Sequence, residues 1–464
     1  MLLVASYVFY MFWKPSYAIL LLISTITVYY SALLMSKTAE KTKRKKYIWI
    51  SIFVNLGILF FFKYFNFFAD SLVGFTSLFG ANFQSPSLKI LLPVGISFYT
   101  FQAIGYSIDV YRGNQQAERH FGRFALFISF FPQLVAGPIE RSKKLLPQLN
   151  KLDATFDYPR ISAGLKLILW GFFKKVVIAD NLGIFVNEIY NQPELYGGFQ
   201  FVLASVLFGF QIYCDFSGYS DIAIGIARIM GVKLMINFKT PFFAKSISEF
   251  WNRWHISLSS WLRDYLFLPL AWKFSNRLKQ ESYGYFKSTS LIYTGAVLIT
   301  FALTGLWHGA NWTFVIWGIL HALYLLLDFY SKKARKKFFK SVGIKKKSKG
   351  LRAISLILTF VLVSFAWIFF RANSTSDAFF IIQKLFSAWD NYSIPELDKI
   401  FYVIGSVVAL VLMIIIEIVL KNKQIESLFE NHPRIIRWSF YYLLIAFIFV
   451  VGYFGDVAFI YFQF

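Results

Sequence analysis

Residues 301–321 form an apolar, aromatic-rich run that is long enough to cross a lipid bilayer, yet it contains two histidines, His308 and His321. An imidazole that can exchange a proton near neutral pH is costly in hydrocarbon unless it has partners or a function. If the run is one unbroken helix, its geometry places the two rings about 20 Å apart along the axis and roughly 220° around it. The sequence therefore predicts that the two histidines do not form one catalytic pair.

His308 has the more unusual local surroundings of the two. It is followed by Gly309, which lets another backbone or a ligand come close, and it is flanked by Trp307 and Trp312. A structural histidine, hydrogen-bonded to a backbone carbonyl and holding two helices together, fits His321 better, because His321 lies in an ordinary apolar helix pattern. For His308, a catalytic role is supported at least as well as this structural role. We therefore take His308 as the centre of a candidate site.

Apolar segments recur along the whole chain, which is 57% hydrophobic and 21% aromatic. This pattern predicts an all-α polytopic membrane protein with about ten to twelve transmembrane or re-entrant helices. Breaks at Pro93, Pro132 and Pro138 fall near membrane depth, where irregular backbone is tolerated only beside protein or a cavity. We expect a single membrane domain over residues 1–464, with its helices around a central intramembrane chamber.

The net charge of +24 lies mainly in short basic runs between apolar segments, which is typical of membrane topology and not of nucleic-acid binding. Segment 37–46 has six basic residues, and segment 332–352 has eleven and no acid, so both loops are expected in the cytosol. The one cysteine, Cys214, excludes an intramolecular disulfide and a cysteine-based metal site, and no other metal-ligand spacing occurs. Residues 1–13 lack a basic start and a cleavage site, so no cleavable signal peptide is expected.

Two aspartates, Asp215 and Asp221, lie inside the apolar span 199–229. At helical spacing Asp215 shares a face with Gln211 and Tyr219, whereas Asp221 shares another face with Ser217. Either aspartate can pair with a buried base such as Arg228 or Lys166, or can face a substrate. The structural pairing is favoured for Asp221, and both interpretations stay open for Asp215.

The richest polar stretch is 249–269. Drawn as one helix, it places Asn252, His255, Ser259 and Arg263 in one narrow stripe, and its opposite side is covered by Phe250, Trp254, Leu258 and Trp261. One interpretation is an interfacial amphipathic helix, with its tryptophans in lipid and its basic residues in water. The other is a helix that lines a polar chamber, with His255 facing a substrate. Periodicity alone favours the interfacial helix.

Together with its neighbours, this stretch resembles a known family. The segments SEFWNRWHISLSSWLRDYLFLPL and TGLWHGANWTFVIWGILHALYLLLD are similar to motifs of the membrane-bound O-acyltransferase family, in its bacterial alginate O-acetyltransferase-like branch. Three further segments agree in the same order: LLPVGISFYTFQAIGYSIDVYRG, SFFPQLVAGPIERSKKLLPQL and GFQIYCDFSGYSDIAIGIARIMG. The resemblance covers residues 91–329.

The resemblance implies acyl transfer within the membrane, from a cytosolic acyl thioester such as acetyl-CoA to a hydroxyl, without a bound cofactor or metal. His308 corresponds to the family's catalytic histidine and is expected to act as general base. His255 corresponds to the family's second polar position. The candidate residues are His308 and His255 for catalysis, and Asn252, Arg263, Asp215, Trp307 and Trp312 for substrate binding.

The resemblance also implies a location and partners. We expect a multi-pass protein of the bacterial cytoplasmic membrane that contacts the lipid bilayer, a polysaccharide acceptor and a separate extracytoplasmic partner of the serine-hydrolase-like type. One alternative is D-alanyl transfer towards teichoic acid, in the same family. Another is a proton-coupled transporter or flippase that uses Asp215, Asp221 and His308, although the paired halves typical of transporters are not found in the sequence.

Overall fold

Helices make up nearly all regular structure in the computed structural model, which describes the chain apart from residues 81–82, 89, 153–154, 344–347, 391, 393–399, 421–424, 426–427, 429–431, 456–458 and 461–464. The α-helices, numbered α1 to α20 in chain order, are Leu2–Met11, Ala18–Lys37, Lys41–Leu59, Phe65–Ser77, Ile96–Tyr111, Phe121–Ser129, Phe131–Leu134, Ser142–Asn150, Tyr158–Phe172, Asp180–Asn191, Gly198–Ile229, Ile247–Arg253, Ile256–Leu262, Leu268–Arg277, Ser288–His308, Trp312–Ser341, Lys349–Arg371, Thr375–Ser387, Ile400–Leu420 and Arg434–Val451. The described strands, β1 (Ser282–Tyr283) and β2 (Phe286–Lys287), form one short antiparallel hairpin.

Eight helical segments among the described residues are long and apolar enough to cross a membrane. They are Pro15–Lys37, Lys41–Ser77, Gly198–Ile229, Ser288–His308, Trp312–Ser341, Lys349–Arg371, Ile400–Leu420 and Arg434–Val451. This confirms the predicted all-α polytopic membrane class. The expected ten to twelve helices also counted shorter pieces, such as the one observed as α5, which has 16 residues.

The chain divides into two compact units. The first comprises residues 1–165 and 223–235, and the second comprises residues 166–222 and 236–464. Every candidate site residue belongs to the second unit. A single domain over residues 1–464 remains a prediction.

In the first unit, α2, α3 and α5 are joined by buried polar side chains. Ser24 Oγ donates to Asn55 Oδ1 at 2.6 Å, and the Ser51 and Ser107 hydroxyl oxygens lie 2.6 Å apart. Hydroxyl and amide groups that are buried in this way satisfy one another away from water. These hydrogen bonds therefore fix the positions of the three helices along one another, which apolar contacts alone would leave less well defined.

Residues 301–321 are parts of a helical hairpin and not one unbroken helix, so the separation of about 20 Å between the two histidines, which holds only for an unbroken helix, does not apply. Helix α15 ends at His308, and α16 begins at Trp312 after the Asn311 side chain accepts a hydrogen bond from the Thr313 amide at 3.0 Å. The two helices pack closely, since a Cβ atom at Gly305 would lie 2.1 Å from the Phe314 carbonyl oxygen. A three-residue turn therefore reverses the chain and brings His321 back towards His308.

The polar stretch 249–269 is also broken, which corrects the expectation of one continuous stripe. Helix α12 ends at Arg253, and α13 begins at Ile256. Between them, His255 has the left-handed backbone angles φ 44° and ψ 53°. This conformation is uncommon for a residue with a side chain and costs roughly 1–3 kcal/mol. It turns His255 away from the face on which Asn252 and Arg263 lie.

The aspartates of α11 pair with two lysines of a π-helical turn, residues 173–179, that joins α9 to α10. Lys174 Nζ lies 2.6 Å from Asp221 Oδ2 and donates to Ser217 Oγ at 2.9 Å. Lys175 Nζ lies 2.7 Å from Asp215 Oδ1 and 2.6 Å from Asp180 Oδ1. The predicted pairing of Asp221 with a buried base is confirmed. The base is Lys174, a buried base other than the two that the sequence analysis names as examples, Arg228 and Lys166.

The two strongly basic segments are largely helical. Helix α3 begins at Lys41, and α16 continues as far as Ser341, so most of the predicted loops 37–46 and 332–352 extend helix ends. Part of the second segment, residues 344–347, lies outside the described residues. The cytosolic location of both segments remains a prediction.

Accessibility to a thiol reagent tests this orientation. With Cys214→Ala as background, cysteines introduced at the exposed positions Ser36 and Ser341 should resist an impermeant maleimide in intact cells and react after permeabilisation. A cysteine at Ser376, beyond the span Lys349–Arg371, should react in intact cells. Labelling of Ser36→Cys or Ser341→Cys in intact cells would reverse the predicted topology.

Candidate functional site

His308 is the last residue of α15 and is buried among aromatic rings from three helices. Its ring centroid lies 5.0 Å from that of Trp307, 4.8 Å from that of Trp317 in α16 and 5.3 Å from that of Phe370 in α17. All three rings stand nearly perpendicular to the imidazole, at 71° to 82°. Such edge-to-face packing fixes the orientation of the imidazole and keeps bulk water from it.

Gly309 is required next to His308 because another ring occupies the space of its missing side chain. A Cβ atom at Gly309 would lie 2.1 Å from the nearest carbon of the Phe314 ring. A close approach is thus present at this glycine, but a side chain of α16 makes it and not the backbone or ligand that was predicted. The tight turn holds His308 at the tip of the hairpin.

His255 also packs against Trp307. It is fully buried, and its ring centroid is 5.9 Å from that of Trp307 and 4.6 Å from that of Phe216 in α11. The structure thus brings His255 and His308 to the same indole, although 53 residues separate them in the chain. The two predicted catalytic residues belong to one aromatic cluster.

His321 also belongs to this cluster, through its contact with Trp317. The centroids of the His321 and Trp317 rings are 4.9 Å apart. Trp251 Nε1 of α12 donates a hydrogen bond to His321 Nδ1 at 3.3 Å. Because Nδ1 accepts, His321 is neutral with its proton on Nε2. His321 therefore joins α16 to α12, as expected of a structural histidine, but its partner is an indole and not a carbonyl.

A cavity of about 340 Å³ lies between the α12–α14 segment and α15. Its lining includes Trp251, Asn252, Ser259, Arg263, Thr300 and Thr304. Asn252 and Arg263 are exposed, whereas Thr300 and Thr304 are buried, so the cavity leads from the protein surface towards the interior. Its volume lies in the range typical of small-molecule sites. Asn252, Ser259 and Arg263 thus share a cavity, as the chamber interpretation expects, whereas His255, which that interpretation also placed there, is not among the lining residues.

The interfacial interpretation of residues 249–269 does not fit the tryptophans. Trp251, Trp254 and Trp261 are all buried, and the Trp254 ring lies 5.4 Å from that of Trp367 in α17. These rings pack against protein and not lipid. The interpretation as a chamber-lining segment is therefore the better description of this stretch.

The other two candidate substrate-binding residues lie in different surroundings. The Asp215 carboxylate pairs with Lys175 and accepts a hydrogen bond from the Ile460 amide at 2.8 Å. These contacts favour a structural role, although a role in substrate binding stays a prediction. Trp312 is 53% exposed, so its ring is less enclosed than those of Trp307 and Trp317.

Comparison with known proteins supports the resemblance. The sequence profile of the membrane-bound O-acyltransferase family matches residues 118–344. The chain is 38% identical to the probable alginate O-acetylase AlgI of Pseudomonas putida over 402 residues, which cover 86% of this chain and 76% of that protein. The chain belongs to the membrane-bound O-acyltransferase family. It is an O-acyltransferase embedded in the membrane, and the transporter alternative is set aside.

Other relatives within the family carry different acceptors in their names. The peptidoglycan O-acetyltransferase of Helicobacter pylori is 34% identical, with 91% of this chain and 83% of that protein covered. The teichoic acid D-alanyltransferase of Streptococcus thermophilus is 31% identical, with 60% of this chain and 68% of that protein covered. The expected membrane-bound O-acyltransferase fold and class of activity are thus confirmed.

Sequence reasoning missed three side chains that shape the site of this family member. Trp317 and Phe370 contact His308, and Trp251 connects the cavity to His321. Trp317 was visible as an aromatic residue four positions before His321, which is one helical turn. Phe370 and Trp251 reach the site only through tertiary packing.

Proposed function

We propose that this protein transfers an acetyl group from a cytosolic thioester to a hydroxyl on the opposite side of the bacterial cytoplasmic membrane, with His308 as general base. The observation that carries this proposal is the course of the cavity. Along α15 it is lined by Tyr293, Val297, Thr300 and Thr304. Their spacing of three and four residues defines one helix face, and His308 lies one turn further on that face.

The positive charge at the open end of the hairpin, where α15 begins and α16 ends, supports the direction of transfer. Basic residues precede α15 at Arg277, Lys279 and Lys287, and others lie on the last turns of α16. These ends are adjacent in an antiparallel hairpin, and the positive-inside rule assigns them to the cytosol. His308 is ~30 Å from the start of α15 by helix rise. A donor that enters beside the basic end can therefore extend its acyl group towards His308.

The proposed chemistry needs one base and one leaving group. His308 takes the proton of the acceptor hydroxyl while the hydroxyl oxygen forms a bond to the thioester carbonyl carbon. The tetrahedral intermediate then collapses, the C–S bond breaks, and the imidazolium returns the proton to the departing sulfur. The products are an ester and a free thiol. The rings of Trp307, Trp317 and Phe370 exclude water that would otherwise hydrolyse the thioester.

Polar residues near the path have separate proposed roles. His255, whose ring packs against Trp307 as the ring of His308 does, orients the acceptor. Asn252 lines the cavity and donates to the carbonyl oxygen of the thioester, where negative charge develops. Arg263 is at the exposed part of the cavity lining and pairs with phosphate groups of a donor such as acetyl-CoA.

The final acceptor of the acyl group is proposed to be an extracytoplasmic polysaccharide. Relatives named for alginate and peptidoglycan acetylation match 86% and 91% of this chain, whereas the D-alanyltransferase of Streptococcus thermophilus matches 60%. The broader match favours acetyl over D-alanyl transfer. On the His308 side, α15 and α16 are joined by only three residues, 309–311, which offer little surface for a polymer. A separate serine-hydrolase-like partner that receives the acyl group and passes it to sugar fits this arrangement.

Reconstitution tests both the transfer and the need for a partner. The purified protein in liposomes, supplied with labelled acetyl-CoA and free polysaccharide, should give negligible label in sugar. An envelope fraction is then added from cells of the source bacterium in which the gene for this protein has been deleted. Label should now enter the sugar, because that fraction supplies the partner. Efficient acetylation without the fraction would contradict the relay and leave direct transfer. A parallel reaction supplies a carrier protein loaded with labelled D-alanine in place of acetyl-CoA, and label that enters polymer only from this carrier would contradict acetyl transfer.

A further inference from the structure

Among the described residues that line the cavity, one aromatic side chain is buried, that of Trp251. Its ring lines the cavity and lies 5.8 Å from the ring of Trp317, which in turn is 4.8 Å from that of His308. Phe301 packs on Trp251 at 5.2 Å from within α15. The indole of Trp251 therefore stands as a partition between the space available to a donor and the aromatic cluster around His308.

A buried hydrogen bond holds this partition in place. Trp251 Nε1 donates to His321 Nδ1, and both side chains are buried. Rotation of the indole would leave its N–H and the imidazole nitrogen unpaired in an apolar environment, which is unfavourable. The His321 ring is itself packed near those of Phe250 and Trp317, at 6.3 Å and 4.9 Å. The orientation of Trp251 is thus set by a residue that does not line the cavity.

A polar group at the same buried part of the cavity points to a ligand. Thr300 is 5% exposed and lines the cavity, and its hydroxyl oxygen has no hydrogen-bond partner among the described residues. Buried hydroxyl groups are normally satisfied by protein, water or ligand. Thr304, one turn closer to His308, donates to the Thr300 carbonyl at 2.7 Å. The buried end of the cavity therefore combines an available hydroxyl group with a fixed aromatic wall.

We propose that Trp251 is a specificity-determining residue that limits the acyl group to about two carbons, and that His321 is a positioning residue that fixes Trp251. This inference rests on the proposed function, because it assumes that the donor's acyl group reaches His308 from the cavity. In this proposal an acetyl group passes beside the fixed indole, whereas each further methylene has to displace it. Discrimination against added methylenes in such a pocket is typically tenfold or more.

The test measures acyl-chain selectivity in membranes that contain the full-length protein and its native acceptor. Acetyl-, propionyl- and butyryl-CoA, labelled in the acyl group, are compared by the label that enters the polysaccharide fraction. Trp251→Ala should raise the butyryl-to-acetyl ratio at least about tenfold over wild type. His321→Phe keeps a ring of similar shape, removes the acceptor nitrogen and should raise the same ratio by a smaller factor. Trp438→Ala, at an exposed tryptophan of α20, should leave the ratio unchanged.

The outcomes separate this inference from the function on which it rests. A wild-type protein that transfers no acetyl group contradicts the proposed function. If the wild type transfers acetyl groups normally and Trp251→Ala lowers transfer from all three donors by the same factor, then Trp251 only packs the core. That result overturns the inference. Trp251→Phe covers the case in which the alanine variant does not fold, since it keeps an aromatic ring and should still shift the ratio towards propionyl. An unchanged ratio in a folded Trp251→Phe variant also contradicts the partition.

Discussion

Replacement of His308 by glutamine is expected to lower acyl transfer by at least about hundredfold, because general base catalysis typically contributes a factor of 10² to 10⁴. Glutamine keeps a polar side chain of similar length among the rings of Trp307, Trp317 and Phe370, so the protein should still insert and fold. His308→Ala should have the same effect on activity. The measurement is the incorporation of labelled acetyl groups in membranes that contain equal amounts of folded protein.

His321 provides the matched control for this experiment. It is the other buried histidine of the same hairpin, and its replacement by alanine should reduce acetyl transfer less than either His308 variant. Monodisperse elution of each variant in detergent shows whether folding is retained. A folded His308→Gln protein with near-normal activity would falsify the assignment of the general base. The reverse order of the two histidines would transfer that role to His321.

Removal of the Lys175 ammonium group is expected to destabilise the protein by about 3–5 kcal/mol, the usual cost of leaving a buried charge without its partner. Lys175→Met leaves the carboxylates of Asp215 and Asp180, whose side chains are 2% and 8% exposed, without their cation. The double variant Lys175→Met with Asp215→Asn should regain much of this loss, because one of the two uncompensated charges is gone. The fraction of monodisperse protein after heating in detergent measures the effect.

An exposed ion pair of the same unit supplies the control. Arg335 and Asp328 of α16 form a salt bridge whose side chains are 49% and 35% exposed, and Arg335→Met should change stability by less than about 1 kcal/mol. A Lys175→Met protein that is as stable as wild type contradicts the structural role of the pair. If such a protein is stable and inactive, the predicted role of Asp215 in substrate binding becomes the better explanation.

The sequence predicted features that depend on composition and helical period. Apolar length was enough to predict the membrane class, and the period of α11 separated the face with Asp215 from the face with Ser217 and Asp221. The structure gives each face its own lysine. The choice of Lys174 and Lys175 was not predictable, because it depends on how another helix packs and on the π-helical turn that carries both lysines.

Two local breaks were not predictable from hydropathy. The turn at residues 309–311 contains no proline, and its three residues are too few to interrupt an apolar window of about 20 residues. The left-handed backbone at His255 is uncommon for any residue with a side chain, and no glycine or proline marks the position, so the sequence did not indicate that α12 would end there. Both breaks are packed against aromatic side chains of other helices, Phe314 of α16 at Gly309 and Phe216 of α11 at His255.

The position of His308 at the hairpin tip, far from the basic helix ends, has a consequence for the energetics of the reaction. In the proposed transfer, an acyl group moves outward and replaces the proton of a hydroxyl, while that proton moves inward and replaces the acyl group on sulfur. A charge that crosses the membrane alone gains or loses ~2.3 kcal/mol per 100 mV. Here the acyl group, counted as the cation RCO⁺, carries one positive charge outward, and the proton carries one inward. The two charge displacements cancel, so each turnover is electroneutral. The membrane voltage then neither drives nor opposes export of the acyl group, and the free energy of the thioester bond is its source.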